Sequence, residues 1–293
     1  MSAAAEAAFL PASYPLVQRE DPAAYEGFVW RLDTPGAKGQ SLLPQKFRTF
    51  EKSSGSAQCS PAQLKVLAAE LKHRNGGGPV YDVDLRQEPH GYFDGRAVSW
   101  YGTRDWSSLG KSQREALQEE KKLLRGSQGR TRYLARLNKE KMPDGGEVLR
   151  VRSVLSEEDL AKQTGLHYFR IAATDHVWPS AENIDRFLAF YKTLPADAWV
   201  HFHCEAGVGR TTAFMAMYDM LRHPDVPLET ILKRQHDIGG FYYGPWDTSS
   251  DTTWKGPYYQ EKYEMMALFY DYVQANKGTD YRLSWSQWLR RLA

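Results

Sequence analysis

The sequence predicts an α/β domain with a mainly parallel sheet flanked by helices, and a smaller β-rich segment inserted into it. Three observations support this fold class. Apolar, partly β-branched segments alternate with helical segments along most of the chain. Residues 198–221 have the pattern of a buried strand, a tight loop and a helix. Residues 97–155 contain segments that alternate polar and apolar side chains, which is typical of half-buried antiparallel strands.

The first elements follow from local signals. Residues 1–25 are rich in Ala and Pro, which predicts an N-terminal arm. Ser60, Pro61 and Gln63 are typical of a helix start, as N-cap, first-turn proline and capping-box partner. The glycine-rich segment 75–79 ends this helix. The other segments before residue 97 are predicted as strands at 28–32 and 80–85, a loop or edge strand at 44–50 and a turn at 90–95.

The same patterns divide the rest of the chain. In the insertion we predict strands at 97–101, 132–137 and 148–154, a surface helix at 111–125 and a charged connection at 139–146. Beyond it we predict strands at 167–172 and 198–202, and helices at 156–162, 181–194, 211–221, 228–238, 258–274 and 285–292. The main domain therefore comprises residues 26–96 and 156–293, and the insertion comprises residues 97–155.

The loop between the predicted strand and helix has the pattern Cys-x5-Arg-Thr, with Cys204, Arg210 and Thr211. Backbone N–H groups at a glycine-containing helix start bind anions, and an arginine matches two phosphate oxygens. The same positive surroundings favour the thiolate of Cys204, the form that attacks phosphorus, and Thr211 is placed to donate a hydrogen bond to it. The remaining loop residues are predicted to surround the phosphate: Glu205, Ala206, Gly207, Val208 and Gly209.

Hydrolysis of an alkyl phosphate also requires a proton for the leaving oxygen. Asp175 is the best candidate, because it follows a predicted strand in the segment 173–179 and would lie at the same sheet edge as Cys204. His176 is a candidate phosphate contact. If the pKa of Asp175 lies somewhat above its usual value of ~3.9, activity should peak at roughly pH 4.5–6.

Composition limits the alternatives. A net charge of +2 in 293 residues argues against a nucleic-acid binder, and no apolar run is long enough to span a membrane. The first residues lack the pattern of an intact signal peptide. We expect no disulfide between Cys59 and Cys204, because it would block the nucleophile. A zinc site from His201, His203 and Cys204 is disfavoured, since no second ligand cluster supports it.

Beyond the Cys-x5-Arg loop, which is typical of the protein tyrosine phosphatase superfamily, the chain resembles the bacterial protein-tyrosine-phosphatase-like phytases, in particular the Selenomonas type. The resemblance rests on segments 168–179 and 201–212 and extends through 81–86, 98–102 and 239–244, which covers nearly all the chain after the arm. It implies a phosphatase domain with a small partial β-barrel. It also implies stepwise hydrolysis of myo-inositol hexakisphosphate without a metal or other cofactor, in a bacterial protein that is secreted or located in the cell envelope.

The resemblance further implies which residues line the pocket. It assigns substrate contacts to Arg48, Lys141 and Lys255, and an acidic position at the pocket edge to Asp105. Glu140 departs from the family, because related sequences can carry histidine there. The sequence leaves the oligomeric state open.

Two other functions stay open at this point. A phosphotyrosine or phosphoinositide phosphatase would use the same chemistry on another substrate. An inactive inositol-phosphate-binding module would use the same pocket, but the intact set of Cys204, Asp175 and Arg210 argues against it. A rhodanese-like sulfurtransferase also has a cysteine loop, without this full pattern and its paired acid.

Overall fold

A computed structural model of the chain describes residues 29–32, 43–139, 141–246 and 253–292. The predicted N-terminal arm, the departure at Glu140 and the final residue lie outside these ranges. Among the described residues, no helix combines the length and apolarity needed to cross a membrane.

Eleven strands and eight α-helices are described. The strands are β1 (Val29–Leu32), β2 (Arg48–Phe50), β3 (Ser53–Ser56), β4 (Val80–Arg86), β5 (His90–Phe93), β6 (Arg96–Tyr101), β7 (Thr131–Leu137), β8 (Pro143–Arg150), β9 (Val154–Leu155), β10 (His167–Ala173) and β11 (Trp199–His203). The helices are α1 (Pro61–Arg74), α2 (Gln113–Ser127), α3 (Glu157–Gln163), α4 (Ala181–Thr193), α5 (Gly209–Arg222), α6 (Leu228–Asp237), α7 (Gly256–Asn276) and α8 (Trp285–Leu292). Short 3₁₀ turns cover Thr103–Asp105 and Lys277–Thr279.

The central sheet has the strand order β10-β4-β11-β3-β2. Its first four strands run parallel, and β2 pairs antiparallel at the edge. This arrangement confirms the predicted α/β fold class. Because β10 and β11 are both parallel to β4, the loops after Ala173 and His203 leave the sheet on the same side, at the carboxyl ends of the parallel strands. The candidate site lies at these carboxyl ends, as expected for parallel sheets.

Helices cover both faces of this sheet. On one face, Phe202 and Val200 of β11 pack with Phe214 and Met217 of α5 and Phe187 of α4. On the other face, leucines of α1 pack with Val80 and Trp199. Helix α1 begins as predicted, since Ser60 accepts a hydrogen bond from the Gln63 N–H and Gln63 reaches back to the Ser60 N–H.

The second sheet has six strands in the order β8-β7-β1-β6-β5-β9. All its neighbours pair antiparallel except β1 and β7. Helix α2 packs on it through Leu124, against Phe93, Val98 and Leu134. The predicted insertion supplies most of this sheet, but β1 and β5 come from outside residues 97–155. The division into domains at these boundaries therefore stays a prediction.

The predicted strand at 148–154 is interrupted, because β8 ends at Arg150 and β9 begins at Val154. One predicted turn and one predicted connection were also wrong. Residues 90–95 were predicted as a turn, but His90–Phe93 forms β5, and only Asp94 and Gly95 adopt positive φ angles. The connection predicted at 139–146 is also shorter, because β8 begins at Pro143. In both places pairing with a neighbouring strand outweighs the local glycines, since Tyr92 pairs with Ala97 and Ala135 with Gly146.

Candidate active site

Cys204 lies between the end of β11 and the start of α5, and its side chain is buried. Thr211, in the first turn of α5, donates a hydrogen bond from Oγ1 to the Cys204 Sγ at 3.2 Å. The helix N-terminus contributes partial positive charge and N–H donors at this point. The arrangement therefore presents a sulfur atom at the base of an anion-binding loop.

The loop around Cys204 is fixed by its neighbours. Gly207 has φ = 71°, and a Cβ there would lie 2.3 Å from the backbone N of Ala57, so only glycine fits. The N–H of Gln58 donates to the Glu205 carbonyl at 3.0 Å. Tyr243 donates from its hydroxyl to the Gly209 carbonyl at 3.0 Å. These contacts define the backbone of the loop before any ligand binds.

Arg48 also supports the loop, and its predicted substrate contact stays a prediction. Its side chain is 5% exposed, and it donates to the Gly207 carbonyl at 2.7 Å and to Thr212 Oγ1 at 3.0 Å. Arg48 pairs with Gly55 across β2 and β3, and a Cβ at Gly55 would lie 3.4 Å from the Arg48 guanidinium carbon. The close approach of the two strands therefore leaves room for the Arg48 side chain beside the loop.

Arg210 is held by a buried carboxylate that the sequence did not identify. Its NH1 and NH2 groups donate to the two oxygens of Glu88 at 2.8 and 3.1 Å. NH1 also donates to the Ala173 carbonyl at 3.1 Å. Glu88 is fully buried and lies 2.7 Å from Arg86 as well. Burial raises the pKa of Glu88, but Arg210 and Arg86 outweigh it and keep the pKa well below its usual value.

Asp175 lies between two basic groups. Its Oδ1 is 3.1 Å from Nε of Arg210, and its Oδ2 is 3.2 Å from Nε2 of His176. Burial raises the pKa of Asp175, but Arg210 and His176 together hold it below its usual value. This contradicts the sequence-based expectation of a pKa somewhat above ~3.9. Burial lowers the pKa of His176 to about 4, against the opposing effect of Asp175.

Both loops open into a cavity of about 450 Å³. Ten of the predicted site residues line it: Asp105, Lys141, Asp175, His176, Cys204, Glu205, Ala206, Val208, Gly209 and Lys255. Gly207, Arg210 and Thr211 belong to the same loop and helix start without lining the cavity, and Arg48 donates a hydrogen bond to the Gly207 carbonyl. The structure thus brings together all predicted residues of the Cys204 and Asp175 loops.

Further cationic side chains line the cavity, and the sequence analysis did not single them out: Arg31, Arg104, Lys139 and Lys262. Lys262 is the most deeply placed of the lysines, with 5% exposure, and burial lowers its pKa to about 8. Asp105 lies 3.2 Å from Arg31, and burial raises the pKa of Asp105 to about 8. Helical spacing could have suggested Lys262, since it lies seven residues after Lys255.

Neither cysteine is in a disulfide, and Cys59 and Cys204 are both buried thiols. Among the described residues, two buried groups have the geometry for a metal ion, and neither includes a residue that lines the cavity: Asp82, Glu157 and His203, and Asp84, His90 and Glu157. The ring nitrogens of His201, which belongs to the zinc set considered from the sequence, form hydrogen bonds with Ser54 and Ser56.

Comparisons with known proteins agree with this geometry. Residues 83–222 match the model of a family described as PTP-like phytase, inositol hexakisphosphate. The structure of a PTP-like phytase from Bdellovibrio bacteriovorus has a TM-score of 0.76 and 31% identity, over 96% of this chain and all of that chain. The PTP-like myo-inositol phosphatase from Mitsuokella multacida, solved in complex with myo-inositol-(1,3,4,5)-tetrakisphosphate, has a TM-score of 0.83 and 44% identity, over 89% of this chain.

Some of these relatives are longer than this chain. The chain spans about half of the Mitsuokella protein, with 49% of its length covered. It also spans half of the effector protein hopD2 of Pseudomonas syringae pv. tomato, to which it is 31% identical over 242 residues and 80% of its own length. The Bdellovibrio phytase, by contrast, is matched along its whole length at 31% identity. The chain therefore belongs to the PTP-like phytase family.

Proposed function

We propose that this protein is a phytase, which hydrolyses the phosphate monoesters of myo-inositol hexakisphosphate one at a time. The observation that carries the proposal is the convergence of Cys204 and Asp175 on one cavity, with Arg210 3.1 Å from Asp175. A nucleophile, a proton donor and a phosphate-binding arginine are the groups that metal-independent phosphoryl transfer to sulfur requires.

In the first step, the Cys204 thiolate attacks phosphorus in line and forms the S–P bond. The bond from phosphorus to the inositol oxygen breaks, and Asp175 gives its proton to that oxygen. The N–H groups of the loop and the guanidinium of Arg210 stabilise the charge on the equatorial oxygens. In the second step, Asp175 takes a proton from water, which attacks phosphorus and releases inorganic phosphate and the Cys204 thiolate.

The walls of the cavity favour a substrate with several phosphates. Arg104, Lys139, Lys141, Lys255 and Lys262 all line it, around a loop that binds a single phosphate. Positive charge beyond the reacting phosphate would bind the other phosphates of an inositol polyphosphate. The relative from Mitsuokella was solved with an inositol tetrakisphosphate, which is consistent with this substrate class.

Two alternative functions differ from the proposed phytase in what they require of the cavity. A phosphotyrosine or phosphoinositide phosphatase would use the same catalytic steps, but a phosphotyrosine would leave most of these cations without a phosphate. A module that only binds inositol phosphates would not need Asp175 in the same cavity as Cys204. We also propose a secreted or cell-envelope location in a bacterium, since the relatives compared above are bacterial and one of them is named an effector protein.

The proposal is tested by measuring release of inorganic phosphate from inositol hexakisphosphate and from a phosphotyrosine peptide. We expect a higher kcat/KM on inositol hexakisphosphate, and successive release of several phosphates from each molecule. A preference for the peptide would support the first alternative. Binding of inositol hexakisphosphate without phosphate release would support the second.

A further inference from the structure

The loop that carries Asp175 is hydrogen-bonded to a residue that is distant in the sequence. Trp106, which follows the 3₁₀ turn at Thr103–Asp105, donates a hydrogen bond from its indole Nε1 to the Asp175 carbonyl oxygen at 2.8 Å. The two residues are 69 positions apart in the sequence. The Trp106 side chain is 5% exposed, so this hydrogen bond is largely shielded from water.

Apolar contacts of Trp106 reinforce this hydrogen bond. Trp106 forms a buried cluster with Val177, two residues after Asp175, and with Tyr258 of α7. The rings of Trp106 and Tyr258 meet edge to face at 6.2 Å. Trp106 therefore joins the Asp175 loop to the first turns of α7.

The backbone of this loop requires such support. His176 has φ = 66°, a left-handed conformation that non-glycine residues adopt rarely and only where their surroundings impose it. Before Asp175, Thr174 donates from Oγ1 to Gln87 at 2.9 Å. Trp106 thus holds the peptide group between Asp175 and His176 directly before the strained residue. Thr174 anchors the chain before this peptide group, and Val177 anchors it after His176.

We propose that Trp106 is a positioning residue that holds the Asp175 loop in its working conformation before substrate binds. The carboxylate is then already between Arg210 and His176, and the loop need not close over the substrate to bring the acid into place. The inference rests on the proposed role of Asp175 as proton donor, and it assigns to Trp106 an effect on that role alone.

The test uses Trp106→Phe, which keeps an apolar ring in the cluster and removes the N–H donor. Trp199→Phe is the matched control, because it removes an equally buried indole hydrogen bond, from Nε1 to Ser54 Oγ at 2.9 Å, at the opposite end of β11 from Cys204. For Trp106→Phe we expect kcat on inositol hexakisphosphate to fall about three- to tenfold, in line with the loss of one hydrogen bond. Trp199→Phe should stay within about twofold of wild type.

The first step on an activated aryl phosphate shows whether the effect acts through the acid. Such a leaving group needs little protonation, so the burst of Trp106→Phe should stay close to that of wild type. An intact burst also shows that the variant is folded, with a working Cys204 and Arg210. A burst reduced as much as kcat on inositol hexakisphosphate would overturn the inference.

A double-mutant cycle with Asp175→Asn completes the test. If Trp106 acts only through Asp175, then Trp106→Phe should cause no further loss of kcat in the Asp175→Asn background. The same fold-loss in both backgrounds, or a loss equal to that of Trp199→Phe, would overturn the inference. If the wild type fails to hydrolyse inositol hexakisphosphate, the proposed substrate is wrong, and the same cycle is run with an alkyl and an aryl phosphate that the enzyme accepts.

Discussion

Nε of Arg210 lies 3.1 Å from Oδ1 of Asp175, which pairs the proposed phosphate-binding arginine with the candidate acid. Burial raises the pKa of Asp175, but this pair and His176 keep it below its usual value. A bound phosphate would compete for Arg210 and place negative charge beside Asp175, and both effects favour the protonated carboxyl group. Substrate binding itself would therefore convert Asp175 into a proton donor.

The first prediction concerns the pH dependence of wild-type activity. The kcat/KM profile reports groups of the free enzyme, and the kcat profile reports groups of the complex. Because the acid form of Asp175 is lost as pH rises, we expect the alkaline limb of kcat/KM to lie at lower pH than the limb of kcat. In Asp175→Asn both limbs should flatten. Coincident alkaline limbs in the wild type would mean that substrate does not change the pKa of Asp175.

The second prediction separates a proton donor from a residue that only shapes the loop. Asp175→Asn keeps the shape and removes the proton, so kcat on inositol hexakisphosphate should fall about 10²–10⁴-fold. The first step on an activated aryl phosphate, measured as a burst or single turnover, should fall much less. Equal losses on both substrates would point to another acid, with Asp105 in the cavity wall as the next candidate.

The third prediction concerns Glu88, which holds Arg210 and Arg86 in the core. Glu88→Gln leaves two buried cations poorly compensated, so the free energy of unfolding at pH 7 should fall by about 3–5 kcal/mol. Glu70→Gln is the control, because it removes a surface ion pair in which Oε1 of Glu70 lies 2.7 Å from Nε of Arg74. It should change the free energy of unfolding by no more than about 1 kcal/mol. Urea unfolding at fixed pH measures both.

The pH dependence of this effect has a definite sign. Burial opposes ionisation of Glu88, but the two arginines keep its pKa lowered in the folded state. Its contribution to stability is therefore present above the unfolded pKa of ~4.3 and lost as pH falls below it. The stability difference between wild type and Glu88→Gln should shrink below about pH 4. A difference that stays constant down to pH 3 would show that the glutamate does not act through its charge.

The fourth prediction concerns metal ions. If Arg210 and the loop N–H groups neutralise the phosphate, phosphate release should persist in excess chelator. Two buried groups, one of which contains His203 next to the nucleophile, have metal-binding geometry and make this test informative. A strong loss that a divalent ion restores would contradict the proposed mechanism. Dialysis against chelator followed by the phosphate-release assay gives the answer.

The elements that the sequence predicts well are those with local signals. Ser60 caps α1 as expected, and Ser180 caps α4 in the same way, because capping needs only residues three positions apart. Strand β3 was not predicted, since its sequence Ser-Ser-Gly-Ser has little β propensity. It pairs with β11 and β2, and α5 packs so closely on it that a Cβ at Gly55 would lie 2.6 Å from Met215 Sδ. That requirement depends on tertiary packing, which a single sequence does not display.

The residues of the candidate site also divide into those that the sequence predicts and those that it does not. Cys204 and Asp175 could be placed together because each follows a parallel strand, so topology alone brings their loops to one edge. Glu88, Trp106 and Lys262 were missed, because each acts through a partner more than 50 residues away or from the wall of a cavity that only the fold creates. The hydrogen bonds of Arg48 to the Gly207 carbonyl and Thr212 were not foreseen either, while its predicted substrate contact stays a prediction.

The most direct test of the central claim is phosphate release from inositol hexakisphosphate by wild type and Cys204→Ser, measured at the pH optimum of the wild type. The substitution is nearly isosteric, so the fold and substrate binding should survive, while a serine hydroxyl remains protonated where a thiolate forms. We expect steady release of several phosphates per molecule by the wild type and no turnover by Cys204→Ser. Turnover by Cys204→Ser close to that of the wild type would contradict a cysteinyl-phosphate mechanism.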